Sequence, residues 1–255
     1  MIRSRGKLVT TIMLWRLYLG CVAFAGAPGL GGMELVLGEQ HHQCSTVSAD
    51  ELHAAAEEND AARLRQLTNL GLASEVIDTA NAEGFTALGE AASLDNIAAV
   101  DVLLKAGADI DALDRHQWTA LGWAAHAGND NVARLLLQNG ASVDKPMGET
   151  GWTALMAAAQ EGRGSIISML LQQGADVNAR DTGGYTALMF ATEAIQFDAV
   201  QLLLENGADP DLRANDGWLC RFIQLDQCRG KTAAEMARAI GRQLRFNKLL
   251  ANVDK

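Results

Sequence analysis

Cysteine is scarce in this chain of 255 residues: Cys21, Cys44, Cys220 and Cys228 are too few for a disulfide framework. If Cys21 leaves with the N-terminal segment, an odd set remains, which fits either a reducing compartment or one pair, Cys220 with Cys228, plus a free thiol. Basic residues are scarce in the body of the chain. Residues 1–33 carry Arg3, Arg5, Lys7 and Arg16 and no acid; taking these from the 21 basic residues leaves 17 against 31 acidic ones, a net charge of −14. A body of that sign repels phosphate backbones and acidic membrane surfaces. It excludes a nucleic-acid binder and suits a basic or neutral protein partner. Long apolar runs are also missing. Arg16 divides residues 8–15 from 17–32, and neither stretch reaches the ~20 residues of a spanning helix.

Chemistry-bearing motifs are equally thin. Gly230-Lys231-Thr232 has the ending of a phosphate loop, but Leu225 stands where the first glycine of the cradle belongs. Gly29-Leu30-Gly31-Gly32 follows no strand, so it is no dinucleotide site. His41, His42 and Cys44 lack a fourth ligand at metal spacing. His53, His116 and His126 are scattered, and with Asp114 they assemble no nucleophile, base and orienting acid. The sequence therefore predicts no catalytic residue, no metal, no cofactor and no small-molecule substrate.

Residues 1–33 read as a targeting leader. They have a basic start, an apolar stretch from Leu17 to Ala25, and small residues around Ala23-Phe24-Ala25 suited to signal cleavage. Export is the expectation. Organelle import, membrane anchoring and a cytoplasmic location stay open, and Cys21 after Leu19-Gly20 is only a weak lipoprotein box. Residues 34–48 read as a linker.

What the chain does have is a period. Phe85-Thr86-Ala87-Leu88, Trp118-Thr119-Ala120-Leu121, Trp152-Thr153-Ala154-Leu155 and Tyr185-Thr186-Ala187-Leu188 place their threonines 33, 34 and 33 residues apart. A repeat of this length is one supersecondary unit that must stack on its neighbours to bury its apolar face. In each copy the Thr caps a helix carrying Leu and paired Ala, and a break leads to a Leu-rich second helix. Those second helices are expected at 96–106, 131–139, 165–173 and 198–206, each ending on Gly107, Gly140, Gly174 or Gly207. Asx- and Gly-rich turns with hairpin chemistry follow.

The pattern resembles the ankyrin repeat, whose motif has a Thr-Pro-Leu-His helix start, paired Ala and a Gly-Ala-Asp-Val-Asn turn. Here the family's Pro is Ala87, Ala120, Ala154 and Ala187, and its His is Gly89, Gly122, Met156 and Met189. The cross-repeat hydrogen bonds of that His must therefore be weaker or replaced. The resemblance implies an all-α repeat solenoid of about six helix-turn-helix units joined by β-hairpin loops, spanning 49–255. The expected units are 49–80, 81–113, 114–146, 147–180, 181–213 and 214–255. The first is a degenerate cap with Asp50 in place of the capping Thr; the last starts at Thr232 and has its second helix at 244–250. Residues 219–231 form an insertion. It reads as a tolerated loop, a retained in-frame stretch from a gene-model error, or a contact loop carrying Cys220, Phe222, Ile223 and Cys228.

The residue before each capping Thr is aromatic: Phe85, Trp118, Trp152, Tyr185 and, ahead of the insertion, Trp218. If units are spaced like packed helices, at ~10 Å, these rings lie too far apart to stack and act separately. The resemblance places them at hairpin bases facing a concave groove, implying partner contact; packing of each ring on its own hairpin is the competing reading. Variable positions after the paired Ala, including His126, Gln160, Glu161 and Glu193, are expected to line the same groove, with solvated surface as the alternative. Together these features imply a non-catalytic module that binds a protein through hairpin tips and the concave helix face, or a regulatory or docking subunit of an enzyme complex.

Overall fold

The computed structural model describes residues 48–69, 74–215 and 231–239. All of them lie within one compact unit, Ser45–Lys255. The leader, nearly all of the linker, Trp218, residues 219–230 of the insertion and the helix expected at 244–250 fall outside these residues.

Short helices alternate in pairs. The first helices are α1 (Ala49–Glu57), α4 (Ala87–Ser93), α6 (Ala120–Ala127), α8 (Ala154–Gln160), α10 (Ala187–Glu193) and α12 (Ala233–Ala239). The second helices are α2 (Ala61–Asn69), α5 (Ile97–Lys105), α7 (Asp130–Gln138), α9 (Gly164–Gln172) and α11 (Phe197–Glu205). A single turn, α3 (Ser74–Ile77), precedes the second unit and buries Ile77; no periodicity in the sequence announces it. First helices pack on first helices and second on second, giving a two-layered solenoid.

The capping logic holds at each Thr. Thr86, Thr119, Thr153 and Thr186 have extended backbone, and each hydroxyl accepts the N–H three residues on, at 3.1, 3.1, 3.3 and 3.4 Å. Thr232 and Glu235 form a reciprocal capping box at 3.2 and 3.0 Å. In the first unit the cap is Ser48, which accepts from the N–H of Glu51, and not Asp50. Asp50 sits inside the first turn, where a carboxylate favours the helix dipole instead of closing it.

The paired alanines Ala91-Ala92, Ala124-Ala125, Ala158-Ala159 and Ala55-Ala56 are fully buried, and their small side chains let neighbouring first helices approach closely. Val100 and Leu103, Val132 and Leu136, Ile166 and Leu170, and Val200 and Leu203 fill the space between layers. The second helices at 130–138, 164–172 and 197–205 begin and end one residue before their expected bounds, and the one at 97–105 lies one residue inside its expected bounds at each end. The hairpins are thinner than the pattern suggested: among the described residues β-pairing is confined to the isolated bridges Ala80 to Thr86 and Met147 to Trp152.

Units are joined by polar ladders. Asn96 Nδ2 donates to the carbonyls of Ala56 and Glu57, both at 2.9 Å, and Asn129 Nδ2 to those of Ala92 and Ser93 at 2.7 and 2.9 Å. At the next junction Arg163 Nε reaches the carbonyl of His126 at 3.3 Å. On the hairpin side, carboxylate or amide oxygens of Asp78, Asp111, Asp144 and Asn178 accept the N–H of Asp109, Ser142, Asp176 and Asp209 in the following unit. Hairpin tips add one backbone bond per junction, as from Arg115 N–H to the Gly84 carbonyl at 2.8 Å. These bonds cross between units where glycine or methionine replaces the family's histidine. The first unit alone keeps a histidine at the corresponding position, His53.

Candidate partner-binding face

Each hairpin base is closed by a backbone bond to the carbonyl of the residue before the cap. The donors Asn81, Asp114, Met147 and Asp181 reach Phe85, Trp118, Trp152 and Tyr185 at 2.7 to 3.0 Å. In three copies the Asx side chain also accepts the aromatic's N–H: Asn81 from Phe85, Asp114 from Trp118 and Asp181 from Tyr185. This double anchorage fixes where each ring departs from the backbone. Behind the insertion Ala214 donates to Lys231 at 3.0 Å, so Lys231 takes the base position assigned to the fifth aromatic.

The rings do not act separately. Trp118 and Trp152 meet at a centroid distance of 6.2 Å, within the range of direct aromatic pairing. Two residues that the sequence reading passed over complete the chain of rings. Trp123 lies 5.0 Å from Phe85 and 4.7 Å from Trp118; Phe190 lies 4.6 Å from Trp152 and 5.4 Å from Tyr185. The six rings Phe85, Trp123, Trp118, Trp152, Phe190 and Tyr185 are thus continuous across four units. The backbone repeat is as wide as expected, but side chains lean toward one another and the helix position four residues past the cap inserts an extra ring in alternate units. That position reads Glu90, Trp123, Ala157, Phe190, and its alternation was the signal available in the sequence.

Burial divides the row. Phe85, Trp118 and Trp152 are half-buried and present part of each ring to solvent, whereas Tyr185 is 0% exposed and packs inside the solenoid. Tyr185 as placed is a core residue, because Phe190 and its own hairpin close over it. Trp123 is held by its indole N–H, which donates to Asp114 Oδ2 at 2.7 Å. The indole N–H of Trp152 is buried and faces Asp181 from outside hydrogen-bond geometry. Burial pushes the Asp181 carboxyl up, against the N–H groups of Tyr185 and Gly183, the Trp152 indole and the charge of Arg180. Under Trp118, Gly122 leaves room for Met147, whose sulfur would collide with a Cβ there.

The variable positions lie at the ends of the first helices. His126, Gln160, Glu161 and Glu193 are all half-buried. The His126 ring stands edge-on to Trp118 at 5.7 Å, and its Nδ1 lies 3.7 Å from Glu161 Oε1, too far for a hydrogen bond. Burial pushes the Glu193 carboxyl above the usual range. Of the other histidines, His116 Nε2 bonds the Glu83 carbonyl at 2.9 Å. Asp114, which the sequence sets near His116, is occupied by the N–H groups of Trp118 and Trp123. Among the described residues no three metal-ligating side chains come together, and no helix is long and apolar enough to cross a membrane.

A two-layered solenoid whose first helices present a partly exposed aromatic and polar strip defines a repeat protein of the interaction class. The ankyrin-repeat model, described as "Ankyrin repeats (3 copies)", matches residues 52–147 and 144–214, well over half of the chain. The chain belongs to the ankyrin-repeat family, whose repeats are protein–protein interaction modules. A search of curated proteins gives no match.

Proposed function

We propose that the chain is a non-catalytic binding module that holds a protein partner on the strip formed by Phe85, Trp118, Trp152, His126, Gln160, Glu161 and Glu193, with the hairpin tips alongside. The observation that carries this reading is the Trp118–Trp152 pair, two large rings in mutual contact and only partly covered. Tryptophan in that state offers apolar area at little entropic cost, and such residues dominate the energetics of interfaces. The caps and ladders that hold the repeats together use neither ring, which leaves the solvent-facing part of each available to a partner. The basic, acid-free leader supports delivery to an exported compartment, where the partner would be met.

The test is proximity labelling from the full-length chain in its native cell, beside Trp118→Ala, Gln160→Arg and a chain lacking residues 1–33. Gln160→Arg changes a half-exposed helix end without removing a packed ring. Loss of the same labelled proteins in both point variants is expected. An unchanged set in both would overturn the reading of the face, and unchanged localisation of the truncated chain would overturn export.

A further inference from the structure

The carboxylates of the framework are engaged. Asp114, Asp181, Asp78, Asp111 and Asp144 accept backbone N–H groups, and Glu90 accepts from His53 and Asn81. Two carboxylates on the strip are not. Glu193 makes no hydrogen bond or ion pair among the described residues although it is half-buried, and Glu161 has only the 3.7 Å approach of His126. Arg163, a cation adjoining this edge, is turned back to the carbonyl of His126. The half-buried Glu193 carboxylate, without a donor, is a standing cost to the fold that an incoming cation relieves, and the more open Glu161 adds a second unengaged charge beside it.

Helical spacing places these groups beside the rings. Residues three apart share a helix face, so Glu193 lies one turn from Phe190, and His126 one turn from Trp123. Glu161 is tied to that line through His126, whose ring touches Trp118. The uncovered parts of indole faces attract a cation through their quadrupole, Trp most strongly of the aromatics. Beyond residue 33 the chain's charge of −14 draws cationic segments toward it.

Resting on the reading of this strip as a binding face, we propose that its occupant is a segment of a partner protein bearing Arg or Lys, with the cationic heads at Glu161 and Glu193 and the stems along Trp118 and Trp152. Glu161 and Glu193 then select the sign of the partner, and the rings supply area.

The experiment titrates nona-arginine into the full chain while following tryptophan emission, with nona-glutamate and a Gly-Ser peptide as controls. The isosteric double variant Glu161→Gln/Glu193→Gln is compared with Asp198→Asn/Glu205→Gln, which removes the same charge from exposed positions of α11. The expected result is saturable binding of nona-arginine alone, weakened at least tenfold in the first double variant and less than twofold in the second, with circular dichroism unchanged. Equal weakening in both, no weakening in either, or no binding would each overturn the proposal. Labelled partners that survive Glu161→Gln/Glu193→Gln but disappear with Gln160→Arg would sink this inference alone. Partners indifferent to all of these changes would sink the face itself.

Discussion

His53 and Glu90 join the first unit to the second through one hydrogen bond: Nδ1 lies 2.9 Å from Glu90 Oε2, while Nε2 lies 2.9 Å from the Thr79 carbonyl. Both partners are acceptors, so both ring nitrogens must donate, which only the imidazolium can do. Burial opposes that charge, but the Glu90 bond, the Thr79 carbonyl and the charges of Glu90 and Asp50 outweigh it and hold the pKa above 6.5.

A pKa raised in the folded state gives stabilisation that is complete below the unfolded value and fades as pH rises through the folded one. Thermal melts of the full chain should therefore show a decline above pH 6.5 that Glu90→Gln flattens. His53→Ala should cost about 1–3 kcal/mol at pH 6, the range for leaving a buried polar partner unmet. A pH profile identical in wild type and Glu90→Gln would show that the imidazole is not charged in the fold.

Ile195 has φ +62° in the turn between α10 and α11, where the other units place Asn59, Asp95, Gly128 and Gly162. A β-branched residue in left-handed backbone is strained by about 1–3 kcal/mol, and Ile195 is 43% exposed, so it recovers little by packing. Ile195→Gly should raise stability by about 1 kcal/mol after glycine's greater unfolded-state freedom is counted. The midpoint of urea unfolding reports it, and a fall in that midpoint would refute the assignment of strain.

The rings of the aromatic row should separate by burial. Tyr185→Ala should cost about 3–5 kcal/mol, as for any large core truncation. Phe85→Ala should cost less, about 1–2 kcal/mol, since its ring is half open and its loss is partly repaired by solvent. Equal losses in denaturant melts would mean the row is structural throughout.

Asn129→Ala leaves the carbonyls of Ala92 and Ser93 without their donor and should cost about 1–2 kcal/mol. Because a solenoid couples only neighbouring units, the same change should split one unfolding transition into two. Hydrogen exchange would show units on the two sides of this junction opening separately; a single shared opening would exclude the idea.

Much of the architecture was legible because capping and helix closure are local. Thr119 needs only the backbone three residues ahead, and Gly140 only its own φ of +89°, so sequence spacing alone located both. What was missed depends on lateral contact. Trp123 and Phe190 read as ordinary helix residues until neighbouring units bring Phe85 and Trp152 against them. The burial of Tyr185 and the open state of Trp118 follow from which ring occupies the adjoining helix, something no single repeat encodes. Ser48 was passed over for Asp50 because the alignment followed the repeat register, whereas the cap followed the actual first turn.

The side chains that reach back across successive junctions differ: Asn96, Asn129, then Arg163. The first two joints share the same asparagine clasp, so a segment lost or duplicated between them would restore that pair of bonds. Across the Arg163 joint the same recombination would leave a guanidinium facing carbonyls that had been met by an amide. Units exchanged between the two asparagine joints would thus keep these bonds, and units exchanged across the Arg163 joint would not.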